Sequence, residues 1–122
     1  MADKNVILMK VYDFLKEVIP VLSRFPRSQK FLLGDNIQKI IMMILELTIS
    51  AFYAKDLIVK KESLTQINLK IEILRYYLRL SFELGYLNSS KYNIFAEKLQ
   101  EIGRMNGGWL KHINIKLKSK KN

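Results

Sequence analysis

The sequence predicts an all-α protein, an up-and-down antiparallel four-helix bundle. Three observations carry that expectation. Four segments repeat apolar residues at three- and four-residue spacing, the signature of a helix with one buried face. The connections between them are short, which makes successive helices antiparallel neighbours. Only two prolines, Pro20 and Pro26, interrupt 122 residues, whereas sandwiches and barrels are richer in turns.

The first helix is expected from about Asp3 to Arg24, with Ile7, Val11, Phe14, Val18 and Val21 inward. Pro20 lies inside it and predicts a kink or break in the last turn. Phe25-Pro26-Arg27-Ser28 forms the first connection, with proline suited to the start of a new helix. The second helix runs from about Ser28 to Lys55 or beyond, with Leu33, Ile37, Ile40, Ile44, Leu47, Ala51 and Ala54 inward. Ser63 followed by Gln66 reads as a capping box that opens the third helix. Its buried lane is Leu64, Ile67, Ile71, Leu74, Leu78 and Ser81, and Gly85 stops it. Asn88-Ser89-Ser90 supplies the next turn and cap. The fourth helix runs from about Ser90 to Lys116, with Tyr92, Phe95, Leu99, Ile102, Asn106, Trp109 and Ile113 inward. Residues 1–116 form one domain, and the basic tail 117–122 is expected to be disordered.

Three helices carry a second apolar lane. It comprises Leu8, Tyr12, Leu15, Ile19 and Leu22 on the first and Met42, Leu45, Ile49 and Phe52 on the second. On the third it comprises Leu69, Ile73, Tyr76, Leu80, Leu84 and Leu87. A wide core stripe accounts for one such lane; three point to a second interface, with another copy of the chain or another protein as the partner.

Composition narrows the function. With no cysteine, disulfides and thiolate zinc sites are excluded, and a reducing, cytoplasmic setting is expected. The longest apolar stretch, Ile40 to Phe52, contains Glu46 and is too short to span a membrane. The single histidine, His112, sits where a helix C-terminus favours a cation, so no histidine pair is available for a metal. No phosphate-cradling glycine motif precedes a helix. The carboxylates are spread singly, many beside a cation, as in Glu72 with Arg75, Arg79 with Glu83 and Glu101 with Arg104. We therefore expect no enzyme, no metal and no cofactor.

The formal net charge of +10 implies attraction to polyanions, RNA or DNA first among them. From Arg104 onward the chain has Arg104, Lys111, Lys116, Lys118, Lys120 and Lys121 and no acid. In an up-and-down bundle that end meets the turn carrying Lys55, Lys60 and Lys61, while Arg24, Arg27 and Lys30 cluster at the opposite end. Two glycines inside the last helix, Gly107 and Gly108, permit two readings. One is a smooth strip between Arg104 and Lys111 for a partner backbone. The other, slightly preferred, is a close helix crossing beside Trp109.

The chain resembles the accessory variability protein (Avd) family of diversity-generating retroelements over nearly its whole length. The resemblance is carried by Phe25-Pro26-Arg27-Ser28-Gln29-Lys30-Phe31 with Leu33-Gly34, and by Leu74-Arg75 with Leu78-Arg79-Leu80. It is carried further by Glu101-Ile102-Gly103-Arg104-Met105 with Gly107-Gly108-Trp109-Leu110-Lys111. Asn106 departs from the pattern, which has a larger apolar residue there. The resemblance implies a homopentamer of four-helix bundles that binds nucleic acid and a reverse transcriptase, without catalysis of its own, to support mutagenic cDNA synthesis. Arg27, Lys30, Arg75, Arg79, Arg104 and Lys111 fall within the matching motifs; Lys116 and Lys118 join them on charge alone. The alternative is an oligomeric adaptor like the bundle proteins encoded in ribosomal RNA intervening sequences, with no specific nucleic-acid role.

Overall fold

A computed structural model describes residues 4–121. Among these, the chain forms four helices and no strand. We number them α1 (Lys4–Leu22), α2 (a turn Arg27–Gln29, a π-helical segment Lys30–Gly34 and an α-helix Asp35–Tyr53), α3 (Leu57–Glu83) and α4 (Ser89–Lys121). Each helix packs on the next, and α1 also packs on α4, which closes the ring around one core. Along the α3–α4 seam Phe82 stacks on Tyr92, Ile71 lies beside Gly103 and Leu64 is bonded by Asn106. Residue numbers thus fall on one helix as they rise on the other.

α1 continues through Pro20 to Leu22 rather than breaking. Pro20 forfeits a single i→i−4 bond, and only two helical residues follow it, so little helix is left beyond it to be redirected. Ile7, Val11, Phe14 and Val18 are buried as expected, but the last inward position is Leu22, with Val21 half-buried beside it. Phe25 in the following turn is buried and meets Tyr86 at 5.8 Å between ring centroids, tying the first and third connections together.

Pro26 directly precedes α2 and its carbonyl accepts from the backbone N–H groups of Gln29 and Lys30, each at 2.8 Å. The π-helical segment that follows adds a residue to one turn, a register change that apolar spacing does not announce. Beyond it the buried lane is Ile37, Ile41, Ile44, Thr48 and Ala51. This corrects the expected lane: Ile40, Leu47 and Ala54 are only half-buried. The hydroxyl of Thr48 donates to the Ile44 carbonyl at 2.7 Å, so threonine occupies the core with its polar group satisfied.

α3 begins six residues before the capping box predicted at Ser63. Asp56 is the N-cap, accepting from the Ile58 N–H at 2.8 Å. Ser63 instead lies inside the helix, buried, with its hydroxyl 3.4 Å from that of Ser50. All six inward positions expected on α3 are buried. Gly85, at φ 82°, ends the helix. The Tyr86 N–H donates to Ser81 and the Gly85 N–H to Phe82, the paired bonds of a Schellman motif.

Asn88 caps α4, accepting from the Lys91 N–H at 2.8 Å. Phe95, Leu99, Ile102, Asn106, Trp109 and Ile113 are buried as expected, and Tyr92 is half-buried. The helix extends through Lys121, past the expected limit at Lys116, so residues 117–121 of the basic tail are helical; Asn122 lies outside the described residues.

Candidate nucleic-acid interface

The eight cations singled out from the sequence are all exposed, but the fold distributes them over four places. Arg104, Lys111 and Lys118 are seven residues apart on α4. Two helical turns separate each from the next, so they share one outward line with a rise of about 10.5 Å between members. Among the described residues no carboxylate lies within ion-pair distance of any of them. Lys116 sits two residues from Lys118 and projects from a different side of the helix.

Gly107 and Gly108 lie between Arg104 and Lys111. Nothing comes within 4 Å of a Cβ built on either residue. The close helix crossing expected there is therefore overturned: these glycines border open space. The close approach occurs instead at Gly103, where a Cβ would stand 3.5 Å from the Arg75 guanidinium and 3.8 Å from Ile71.

Lys118 joins Lys61, Ile58, Asn114 and Leu117 around a groove of about 380 Å³. The gathering of cations expected at this end thus includes Lys61 and Lys118. Lys60 is not on that surface. It is buried, and its ammonium donates to the carbonyls of Ala51 (2.7 Å) and Phe52 (3.4 Å) at the C-terminus of α2, where a cation offsets the helix dipole.

Arg75 and Arg79 lie on α3 and line a separate groove of about 230 Å³ with Tyr76, Tyr92, Ala96 and Glu72. Each is held by a carboxylate on its own helix: Arg75 by Glu72 and Arg79 by Glu83, both at 3.1 Å. The hydrogen bond to Glu83 and that carboxylate's charge raise the pKa of Arg79 above its ordinary value. Sequence reading missed the aromatic walls of this groove. Tyr76 is 69% exposed, an unusual position for a large aromatic ring on a helix, and its place in the second apolar lane was the available signal.

Arg27 and Lys30 occupy the far end, at the start of α2. The Lys30 ammonium stands 5.9 Å from the centre of the exposed Phe31 ring. Glu101, expected beside Arg104, is taken instead by Lys10 of α1 at 2.8 Å. The Lys10 hydrogen bond and charge hold the Glu101 carboxyl below its usual range. A second pair, Lys98 with Glu17, bridges the same two helices.

The family model described as bAvd-like matches residues 5–113. The chain belongs to the bAvd-like family. The match takes in α2, α3 and the part of α4 that carries Arg104 and Lys111, and ends before Lys116 and Lys118. No curated protein matches this bAvd-like chain. Its fold is similar to the crystal structure of a protein of unknown function from the S23 ribosomal protein family of Bacteroides thetaiotaomicron. The TM-score is 0.82 at 18% identity, over 89% of this chain and 98% of that one. Among the described residues no three His, Cys, Asp or Glu side chains gather where they could hold a metal ion. No described helix is long and apolar enough to cross a membrane.

Proposed function

We propose that this bAvd-like protein is a non-enzymatic accessory factor that binds RNA or DNA and a retroelement reverse transcriptase, and so supports mutagenic cDNA synthesis. The observation that carries the reading is the α4 line of Arg104, Lys111 and Lys118, three exposed cations with no carboxylate partner among the described residues. Cations in that state neutralise phosphates and release counterions without first breaking an internal ion pair. The open helix backbone at Gly107 and Gly108 lets a phosphodiester chain lie close between them. Family membership supports the link to a retroelement.

The bundle is up-and-down and antiparallel, and it assembles as a homopentamer in the cytoplasm. Leu69, Ile73, Tyr76 and Leu80 support self-assembly, since they remain exposed along α3 after the core is complete. Leu22 and Leu87, expected in the surplus lanes, are buried and belong to the core.

Binding of fluorescent single-stranded and duplex RNA across a salt series tests the proposal, together with co-purification with a retroelement reverse transcriptase. Steep loss of RNA affinity with salt and a stable complex with the enzyme are expected. RNA binding that is absent, or unchanged when Arg104, Lys111 and Lys118 are neutralised, overturns the assignment of the α4 face. The adaptor reading then stands.

A further inference from the structure

The buried side of α4 carries an arrangement that the basic face does not use. Asn106 and Trp109 are three residues apart, so both side chains enter the core on the same face. Each is 0% exposed. The Asn106 amide Nδ2 donates to the Leu64 carbonyl at 2.9 Å and to Asn68 Oδ1 at 2.7 Å. Those two partners set the orientation of the amide. Turned over, it would bring Oδ1 against the Leu64 carbonyl, and two acceptors would face each other. The remaining polar atoms, Asn106 Oδ1 and Trp109 Nε1, are buried with no hydrogen-bond partner.

Buried polar atoms are very rarely unbonded, so two together on one turn point to a ligand. Their chemistry defines it. Oδ1 only accepts, and the indole Nε1 only donates. A cation would suit the first and be repelled by the second; an anion would do the reverse. A molecule that donates to one and accepts from the other satisfies both. It must also be small enough for a packed core, which leaves water.

We propose that Asn106 Oδ1 and Trp109 Nε1 hold one internal water molecule, which donates to the amide and accepts from the indole. With the bonds to Leu64 and Asn68, this gives the α3–α4 seam a polar tie in the middle of apolar packing. A buried asparagine of this kind sets helix register at some cost in stability. Gly107 and Gly108, lying between the two residues, weaken the helix where the water must enter and leave.

Trp109 is the sole tryptophan of the chain, so the full-length protein has a single indole N–H resonance. Water-to-indole NOE measurements on the nitrogen-15-labelled protein read the site. A cross-peak of the sign given by slowly exchanging water is expected in wild type and in Asn68→Ala. It should be lost in Asn106→Leu. Its absence from wild type, or its survival in Asn106→Leu, overturns the proposal. A crystal structure that resolves ordered water checks wild type without any substitution. Density within hydrogen-bond distance of both atoms supports the site; Nε1 donating directly to Oδ1 sinks it. The readout involves no nucleic acid, so it stands or fails independently of the proposed function.

Discussion

Arg75 and Arg79 on α3 and Arg104, Lys111 and Lys118 on α4 are all exposed cations on helical faces. Their surroundings differ. The α3 arginines each face a carboxylate at 3.1 Å, and their groove is walled by Tyr76 and Tyr92. The α4 cations have no ion-pair partner among the described residues. A paired arginine has already satisfied part of its guanidinium and carries a neighbour that repels phosphate. An unpaired one offers its whole charge. Net charge therefore says less about a polyanion site than the local balance of cations and acids.

Four measurements sharpen or break this contrast. The largest effect is expected from neutralising Arg104, Lys111 and Lys118 together. The salt dependence of single-stranded RNA binding should flatten by about 2 in log–log slope, from about 0.7 per phosphate contact. Unchanged melting would show that the bundle is intact. An unchanged slope would place the interface elsewhere.

Gly107→Ala and Gly108→Ala probe the same strip through stability. With open space around each Cβ, each should stabilise the protein by about 1 kcal/mol in chemical denaturation, from helix propensity alone. RNA affinity should fall in the same variants if a backbone lies against the glycines. Stabilisation with unaltered affinity would remove the glycines from the interface.

On α3 the expected effect is smaller. Replacing Arg79 and Glu83 together by Met should shift the melting temperature only slightly, as for an exposed i,i+4 pair screened by solvent. The salt slope should hardly change, because a cation and an anion leave together. A large loss of RNA binding would reverse the ranking of the two faces.

The smallest effect concerns the Lys10–Glu101 pair. The Glu101 pKa is depressed in the folded protein from a reference of 4.5. Its contribution to stability is therefore present above that reference and is lost as pH falls through the folded value. Lys10→Met should lower the melting temperature slightly at neutral pH and have no effect at strongly acid pH. An equal effect at both would mean that Lys10 acts through packing.

Much of the fold was legible because burial imposes a periodicity that the sequence must carry. The α3 lane, the Gly85 stop and most of the α4 lane were readable, since apolar spacing, a left-handed glycine and an Asn-Ser-Ser turn each have one simple physical use. The misreadings share a cause. Thr48, Ser63 and Lys60 are polar in composition, yet each is buried where a neighbouring carbonyl or hydroxyl satisfies it. Polarity alone assigned Ser63 to a cap and Lys60 to a surface, and left Thr48 out of the buried lane. The π-helical turn at Lys30–Gly34 was invisible for a different reason: it changes register while leaving apolar content unaltered.

The candidate site divides in the same way. By itself, the sequence determined that this is a helical protein with surplus positive charge, rich in basic residues toward its C-terminus, because composition and local periodicity suffice for that. Only the tertiary structure decided that Gly107 and Gly108 face open space, that Glu101 is taken by Lys10, and that Lys61 and Lys118 share a groove. These depend on which residues meet across helices, and contacts between distant segments have no signature in local spacing.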